Sequence, residues 1–598
     1  MRKLVAALLW AAAYAQPQRP PLPRRPPAAA IREAYLYAFA TYARDAWGSD
    51  WVRPLARASA DESAAGPLGQ TIASAVDGMW FMGFDGVVKQ CGAWAATEFD
   101  VDAHVSVRTR DAAKVLGGLL AAGHLSGDTR FLEAAKRLGD RLLPAYGASP
   151  TGPPYARIFD LKEGVVGVPK QNVQDSESLV AGLVELKALA KTTSKQRFAR
   201  ASDRQLDALF AMKGWTLQGS LAPARASVAA GAFEDSSSGR CSAGEGGAEI
   251  YEALVARGTI ATDELGRKAL RLATRAAVAS LAFIHQTENG TVAADLLQGE
   301  KGPAVFHQRA CALPGFLART RFGNIAGPLD FDPALRGVAH DLVMTCIAKA
   351  LETPTGLAPA RDQSGSRVGD LRPETAASLF FMRRATSDSV YADLGYELFK
   401  RVNESARVDN GAFVVLDDVR TGGKRDEMPP HIFETLKFLY LLDLENETRV
   451  PVLDEEWVWS SGGHALPVFN GSEVLDASND DLNATVVIIK HVGQALIPHV
   501  DVHVADALER FAATATSAAP ASATATGQAT SKAAPIYAPS DRAARKRETS
   551  AVRHRSKFGV RRRQASGSTS RATADGSASK ITPASALTDA AAVAAAAA

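Results

Sequence analysis

The 598-residue sequence has little of several features that mark particular classes of protein. Its four cysteines are too few for a disulfide-built scaffold, and no two lie close enough together to suggest a zinc site. The net charge of +3 gives no reason to expect nucleic acid as a partner. Beyond the N-terminus no apolar segment is long enough to span a membrane, and alternating strand patterns are scarce. Apolar residues at the three- and four-residue spacing of helices are, by contrast, abundant.

The N-terminus has the pattern of a secretory signal. Arg2 and Lys3 precede an apolar run that starts at Leu4 and ends in the small-x-small cleavage pattern of residues 13–15. We expect residues 1–15 to be a cleaved signal peptide; an uncleaved anchor is the alternative, and only then would the protein associate with a membrane. An ER-lumenal or Golgi location also suits the Asn-x-Ser/Thr sequons. These lie at Asn289, Asn403, Asn446, Asn470 and Asn483.

Composition divides the rest of the chain into four parts. Residues 16–30 are a Pro/Arg-rich linker that we expect to be extended, and residues 31–469 carry the helical patterns of a globular domain. Residues 470–511 form a C-terminal extension, and residues 512–598 are a low-complexity tail that we expect to be disordered. The basic block of that tail is either a solvated spacer or a contact for anionic lipid or nucleic acid.

A weak repeat indicates that the helices come in hairpins. Residues 126–143 resemble residues 386–402, with Asp128 and Phe131 matching Asp388 and Tyr391, and residues 191–206 are a looser copy. Each copy follows an apolar helix and a short polar turn, so the repeating unit is a helical hairpin. Such hairpins either stack into a solenoid or close into a barrel, and periodicity does not decide between them. The segment "GAFVVLDDV" is a candidate for a short β-hairpin arm.

Six phrases occur in the order found in one known family. The phrases are "AWGSDWVRPLARAS" (46–59), "LGQTIASAVDGMWFMGF" (68–84), "VLGGLLAAGHLSGDTRFLEAAKRLGDRLLPAY" (115–146), "SPTGPPYARIFDLKEG" (149–164), "LRPETAASLFFMRRATSD" (371–388) and "FETLKFLYLL" (433–442). They resemble the class I α-1,2-mannosidases of glycoside hydrolase family 47, a family that also includes the ER-degradation-enhancing mannosidase-like proteins. The chain is a divergent relative, and the resemblance covers roughly residues 31–469.

The resemblance implies a fold, an activity and a cofactor. The fold is an all-α (α/α)7 barrel with small β-hairpins. The activity is inverting hydrolysis of terminal α-1,2-linked mannose on high-mannose N-glycans, with a bound Ca²⁺. It also implies a disulfide between Cys311 and Cys346, which leaves Cys91 and Cys241 as buried free thiols. We expect a monomer.

Four residues carry family roles directly. Glu374 matches the glutamate of an Arg-Pro-Glu motif, which is the family's proposed general base; the alternative is that it only caps a helix that begins after Pro373. Glu434 matches an active-site glutamate that orients the sugar. The resemblance further implies that Asp77 and Arg372 bind substrate.

The acid side departs from the family. The position of the proposed general acid falls on Arg110 counting back from Leu116, or on Thr109 counting forward from Val105, and neither can act as a carboxylic acid. Asp111 is the nearest carboxyl and is one candidate substitute.

A second active-site acid of the family, in an Asp-Ser-x-Tyr-Glu phrase, falls on Ala248. Glu249 lies one position along and Glu245 three before; Glu249 either takes over the role or is an exposed helical acid. Glu177 lies one position from another expected glutamate.

The calcium segment is also altered. The family's threonine, its direct protein ligand for the metal, corresponds to Ser461, and the following glutamate corresponds to Gly462. Serine retains oxygen donors for a calcium ion, so Ser461 is the metal-ligand prediction, while His464 is interpreted as structural.

Three functions are compatible with these residues. The first is an α-1,2-mannosidase that works through Glu374 and a shifted acid. The second is a catalytically weak, lectin-like N-glycan-binding factor in ER quality control and ER-associated degradation. The third is a helical interaction scaffold with no sugar site, and it leaves the coexistence of Glu374 and Glu434 unexplained. We therefore favour the mannosidase.

Overall fold

A computed structural model describes residues 27–469, apart from gaps at 168–172, 217–218, 235–239, 262, 289, 298–299, 321–332, 362–366 and 443–456. The predicted signal peptide, most of the linker, the C-terminal extension and the tail lie outside the described residues. So do four of the five sequons; Asn403 is the one that lies inside. The first described helix begins at Pro27, so residues 27–30 are helical and not part of an extended linker as predicted.

Fourteen α-helices lie within the described residues. They are α1 (Pro27–Ala46), α2 (Gln70–Phe81), α3 (Asp85–Thr97), α4 (Thr109–Ser126), α5 (Thr129–Gly147), α6 (Leu183–Thr193), α7 (Gln196–Ala211), α8 (Ala248–Ile260), α9 (Glu264–Ala279), α10 (Leu313–Arg319), α11 (Pro333–Leu351), α12 (Glu374–Thr386), α13 (Val390–Ser405) and α14 (Ile432–Leu441). The prediction of a mainly helical fold is confirmed.

The even-numbered helices form an inner ring. Each packs against the next even-numbered helix from α2 to α14, and α14 packs back against α2. The odd-numbered helices lie outside, where α3 packs on α5, α5 on α7, α7 on α9, α11 on α13 and α13 on α1. The contact between α14 and α2 closes the ring, so the hairpins form the (α/α)7 barrel and not an open solenoid.

The weak sequence repeat marks the start of three outer helices, α5, α7 and α13. In two copies the matching aspartate has the same local role: Asp128 Oδ1 accepts a hydrogen bond from the backbone N–H of Arg130 at 3.1 Å, and Asp388 Oδ1 accepts one from Val390 at 3.0 Å. The matching aromatic residues, Phe131 and Tyr391, are buried. The repeat is therefore a capping residue followed by an aromatic residue that attaches the outer helix to the core.

Short antiparallel strands connect the helices at the ends of the ring. They pair as β1 (Trp51–Arg53) with β2 (Ala58–Ala60), β3 (Val107–Arg108) with β4 (Arg157–Asp160) and β5 (Val165–Gly167), β6 (Val173–Asp175) with β7 (Arg225–Ser227) and β8 (Ala232–Phe233), β9 (Ile284–Thr287) with β10 (Gly290–Ala293), β11 (Leu296–Leu297) with β12 (Glu300–Lys301), β13 (Leu416–Asp418) with β14 (Gly423–Lys424), and β15 (Trp457–Trp459) with β16 (Ala465–Pro467). The predicted arm in "GAFVVLDDV" is β13. The hairpin β15–β16 packs on α4 and α8.

The cysteines are arranged as the resemblance implied. Cys311 and Cys346 form a disulfide that links the segment before α10 to α11. Cys91 and Cys241 are buried free thiols, and burial raises the pKa of Cys91 to about 12, so this thiol stays protonated at neutral pH. In the part of the chain that the structure describes, no helix is long and apolar enough to cross a membrane.

Candidate active site

A cavity with about 1090 Å³ of space, part of it open to solvent, lies at one end of the inner ring. Four of the inner helices, α4, α8, α12 and α14, contribute side chains from their first turns, and the turn between β15 and β16 completes the wall. Phe381, Phe438 and Trp459 form its apolar part. The charged lining comprises Glu249, Glu252, Glu374, Glu434, Arg110, Lys114, Arg309, Arg319 and Arg372.

Glu374 and Glu434 both line this cavity because the starts of α12 and α14 are tied together. The hydroxyl of Thr435 donates a hydrogen bond to the carbonyl of Leu371 at 2.7 Å. His431 Nε2 lies 2.6 Å from the carbonyl of Asp370. Leu371 has a left-handed backbone with φ 48°, a strained conformation for a leucine, and it immediately precedes the Arg-Pro-Glu motif. The two glutamates therefore line the same cavity from neighbouring inner helices.

Burial raises the pKa of both carboxyl groups. For Glu374, Arg372, Arg309 and Lys114 offset this effect only in part, and its Oε2 is buried without a hydrogen-bond partner among the described residues. For Glu434, burial raises the pKa to about 7 against the opposing charges of Lys114 and Lys437. A carboxyl group of this kind is partly protonated at neutral pH, which suits proton transfer.

Arg110 belongs to a cluster of alternating positive and negative side chains at the cavity. Its guanidinium contacts Glu177 directly and lies 3.7 Å from Glu249. Arg309 contacts Glu177 and donates to Glu249 Oε1 at 2.9 Å. We call Arg110, Glu177, Arg309 and Glu249 the ion cluster. Counting back from Leu116, this arginine stands at the position predicted for the family's acid, and its guanidinium lies near the carboxylates of Glu177, Glu249 and Asp111.

The ion cluster determines the charge state of Glu249. Burial alone would raise the pKa of this carboxyl, but Arg110, Arg309 and Lys114 lower it to about 2. Glu249 lines the cavity. A carboxylate with so low a pKa does not retain a proton at neutral pH, so its charge state does not suit the substitute acid that was predicted.

Asp111 does not take the place of the missing acid either. It is not among the residues that line the cavity. Its carboxylate accepts from Arg108 Nε at 2.5 Å. Residue 111 lies about 100° around α4 from residue 110, and its Oδ1 lies 3.8 Å from Nε of Arg110, so the carboxylate is paired with arginines on both sides. The role predicted for Asp111 does not agree with its position.

Glu252 lines the cavity and was not identified from the sequence. It lies one helical turn after Ala248 on the same face of α8. Burial raises its pKa against the opposing charge of Arg319, which contacts it and also lies over the Phe381 ring at 4.2 Å. A signal was available, because Glu252 is the final acid of the Asp-Ser-x-Tyr-Glu phrase as it aligns on residues 248–252.

The two predicted substrate-binding residues differ in position. Arg372 lines the cavity, with Nε 2.6 Å from Asp370 and a terminal nitrogen 3.8 Å from Glu374. Asp77 is fully buried and is not among the lining residues. Its Oδ2 accepts from Lys437 Nζ at 2.8 Å and lies 3.0 Å from His464 Nδ1. Asp77 therefore joins α2, α14 and the β15–β16 hairpin outside the cavity lining, and His464 is its buried partner on the hairpin.

The turn between β15 and β16 brings Ser461 to the cavity wall. Both the backbone N–H and the hydroxyl of Ser461 donate to Glu185 Oε1 on α6, at 3.1 and 2.7 Å. The next two residues, Gly462 and Gly463, have φ values of 116° and 63°, a region that residues with side chains rarely adopt. The turn depends on glycine at both positions.

The residues at this turn do not fit a calcium ion. Ca²⁺ takes six to eight oxygen ligands, which can include waters, and the protein oxygens that the predicted site supplies are those of Ser461. The hydroxyl proton of Ser461 is directed at Glu185. Gly462 supplies no carboxylate, and an ideal Cβ on it would lie 3.3 Å from Cγ of Lys114, so the stem of a cationic side chain occupies the adjoining space.

Comparison with known proteins identifies this arrangement. Residues 34–468 match Glycosyl hydrolase family 47. The chain is 29% identical over 493 residues to a mannosyl-oligosaccharide 1,2-alpha-mannosidase of Arabidopsis thaliana, covering 77% of this chain and 80% of that protein. It is 28% identical over 468 residues to the endoplasmic reticulum mannosyl-oligosaccharide 1,2-alpha-mannosidase of Rattus norvegicus, covering 74% and 68%.

A solved structure supports the fold. The α-1,2-mannosidase from Trichoderma reesei superposes with a TM-score of 0.64 at 19% identity, over 75% of this chain and 100% of that one. At this identity the likeness concerns the fold alone.

Proposed function

This chain belongs to glycosyl hydrolase family 47, and on that premise we propose that it is a glycosidase that removes terminal α-1,2-linked mannose from high-mannose N-glycans. The named mannosidases of plant and rat support the substrate class. The observation that carries the proposal is that Glu374 and Glu434, from different inner helices, line one cavity with raised pKa values.

The proposed mechanism is inversion with two carboxyl groups. One carboxyl protonates the leaving oxygen while the other activates a water on the opposite side of the sugar. Glu374 is the base, because its raised pKa makes it a stronger proton acceptor than an ordinary glutamate. Glu434 is the proton donor, because its pKa of about 7 retains a proton on part of the molecules at neutral pH. Calcium has no step in this proposal, because the residues around Ser461 do not fit it.

We further propose a location in the ER lumen or Golgi and a monomeric state. The disulfide between Cys311 and Cys346 supports this location, because disulfides form and persist in oxidising compartments. The relative from rat is named for the endoplasmic reticulum. High-mannose N-glycans on glycoproteins would be the partners in that compartment, and nucleic acid would not be one.

Release of mannose tests the proposal. The purified chain is incubated with a high-mannose oligosaccharide, and free mannose is measured against the Glu374→Gln variant. We expect release by the wild type and a loss of about 10²–10⁴-fold in the variant. The Gln side chain has nearly the shape of Glu, so the thermal midpoint should be retained. Equal release by both proteins would show that Glu374 is not the base.

The ion cluster supports a second function, glycan binding without turnover. The family's acid position falls on Arg110 or Thr109, neither of which is a carboxylic acid, and a missing proton donor slows hydrolysis by about 10²–10⁴-fold. If Glu434 does not supply the proton, the cavity would retain high-mannose glycans as a lectin-like quality-control factor does. Retention of labelled oligosaccharide without release of mannose would favour this function over the first.

A further inference from the structure

Mannosidases of this family generally depend on a metal ion, yet the cavity holds an internal cation where its residues do not fit a metal. We propose that the ammonium of Lys114 supplies the positive charge of the sugar site, so that sugar binding by this chain does not require calcium. The inference rests on the proposed function for the identity of the ligand, a terminal mannoside. It concerns how that ligand is held.

Lys114 is the cation of the cavity that no acid neutralises. Four arginines line the cavity, and each forms an ion pair with a carboxylate: Arg110 and Arg309 within the ion cluster, Arg319 with Glu252, and Arg372 with Asp370. For Lys114 the described residues provide no ion pair and no side-chain hydrogen bond. An ammonium has three donor protons, which are therefore available to sugar hydroxyls.

The positive charge of Lys114 interacts with the carboxyl groups that line the cavity. Its field reaches all four lining glutamates, Glu249, Glu252, Glu374 and Glu434. A single fixed ammonium among four carboxyl groups offsets part of their mutual repulsion. A bound metal cation would offset the repulsion between the carboxyl groups in the same way.

The β15–β16 turn packs closely on the stem of the lysine. At Gly462 an ideal Cβ would lie 3.0 Å from Cδ2 of His464 and 3.3 Å from Cγ of Lys114. At Gly463 it would lie 2.8 Å from Oε1 of Glu434. The main chain therefore lies directly against the carboxylate and the lysine stem. A glutamate at position 462 would need a different backbone conformation, since φ there is 116°.

Calcium binding is tested first, without any variant. Metal-stripped full-length chain is titrated with CaCl₂ by calorimetry, and its thermal midpoint is compared in excess CaCl₂ and in EDTA. We expect no saturable heat and no shift of the midpoint, because a ligand that does not bind the native state cannot stabilise it. Stoichiometric calcium binding with a raised midpoint would overturn the inference.

Sugar binding tests the lysine. The affinity for α-1,2-mannobiose is measured in EDTA for the wild type, Lys114→Met, which keeps the stem, and Lys114→Arg, which keeps the charge. We expect the methionine variant to bind about tenfold or more weakly, since it loses charged hydrogen bonds, and the arginine variant to stay within about threefold of wild type. If Lys114→Met does not fold, Lys114→Gln replaces it. An unchanged affinity in the neutral variant would refute the role of Lys114.

The two experiments separate this inference from the proposed function. Sugar binding that EDTA abolishes would overturn the calcium-free site and leave the mannoside ligand standing. No sugar binding by the wild type, together with silence in the calcium titration, would reject the proposed function while the conclusion about calcium stood.

Discussion

Replacing Arg110 by methionine tests whether the ion cluster is a stabilising unit. Methionine keeps the unbranched stem and removes the guanidinium. Glu177 and Glu249 would then share the single charge of Arg309 within the cluster. The side chain of Glu177 is 9% exposed, so water compensates it poorly. We expect a clear loss of stability at neutral pH.

The expected loss can be worked from the contacts. Lowering the pKa of Glu249 from 4.5 to about 2 corresponds to at most about 3 kcal/mol in favour of its charged form. Because burial opposes this effect and Arg110 is the largest of the three charges that produce it, the part due to Arg110 is at least about 1 kcal/mol. The lost charged contact with buried Glu177 adds about 1–3 kcal/mol. The free energy of unfolding of the variant should therefore be lower than that of the wild type by about 2–4 kcal/mol.

The pH dependence has a definite sign. The lowered pKa of Glu249 contributes stability above pH 4.5, and this contribution is lost as the pH falls towards 2. The difference between wild type and Arg110→Met should therefore be full at pH 7 and shrink below about pH 4. Urea unfolding followed by tryptophan fluorescence across this range measures it.

Arg108→Met is the matched control. Arg108 precedes Arg110 by two positions and contacts Asp111, but its side chain is 56% exposed, so we expect a loss of less than about 1 kcal/mol. Equal losses in the two variants at pH 7 would refute the reasoning. So would a loss for Arg110→Met that does not change with pH.

Three further predictions concern the site and its support. If Glu434 is the proton donor, mannose release should fall as the pH rises through about 7, where its carboxyl loses the proton; release that keeps increasing above that pH in initial-rate assays would contradict the role. Gly463→Ala should lower stability by about 1–3 kcal/mol and weaken sugar binding, because the added Cβ would meet Glu434 at 2.8 Å. Gly127→Ala is its control, with a similar φ of 72° and no atom within 4 Å; calorimetric unfolding that ranks the two equally would show that backbone strain alone is responsible. Replacing Cys311 and Cys346 together by alanine should cost about 3–4 kcal/mol, since the disulfide closes a loop with a sequence separation of 35; an unchanged denaturant midpoint would exclude that contribution.

Much of the fold was predictable because its signals are local. Asp128 and Asp388 cap outer helices, and the aromatic residues three positions on are buried, so a short repeat was enough to indicate helical hairpins. Closure of the ring was a different matter. The contact between α14 and α2 joins segments more than 350 positions apart, and periodicity contains no information about it.

Most of the residues that were predicted for the site line one cavity, whether or not their motif is intact. Glu374, Glu434, Arg372 and Ser461 all line the cavity. Asp77 keeps its motif but faces the packed interior between α2 and α14. A match in sequence does not determine which neighbouring side chains a buried residue meets. Glu252 was missed although its spacing from Ala248 was readable.

The sequence by itself determined the helices, the capping and glycine positions and the family, since these depend on residues close together along the chain. The tertiary structure alone decided which charges meet. Arg110, Glu177, Glu249 and Arg309 are separated by 67, 72 and 60 residues in turn, and the turn at Gly462 comes to lie against Lys114 from the far end of the domain. Charge pairing in a cavity depends on distances of a few ångströms between distant segments, and only the closed ring sets them.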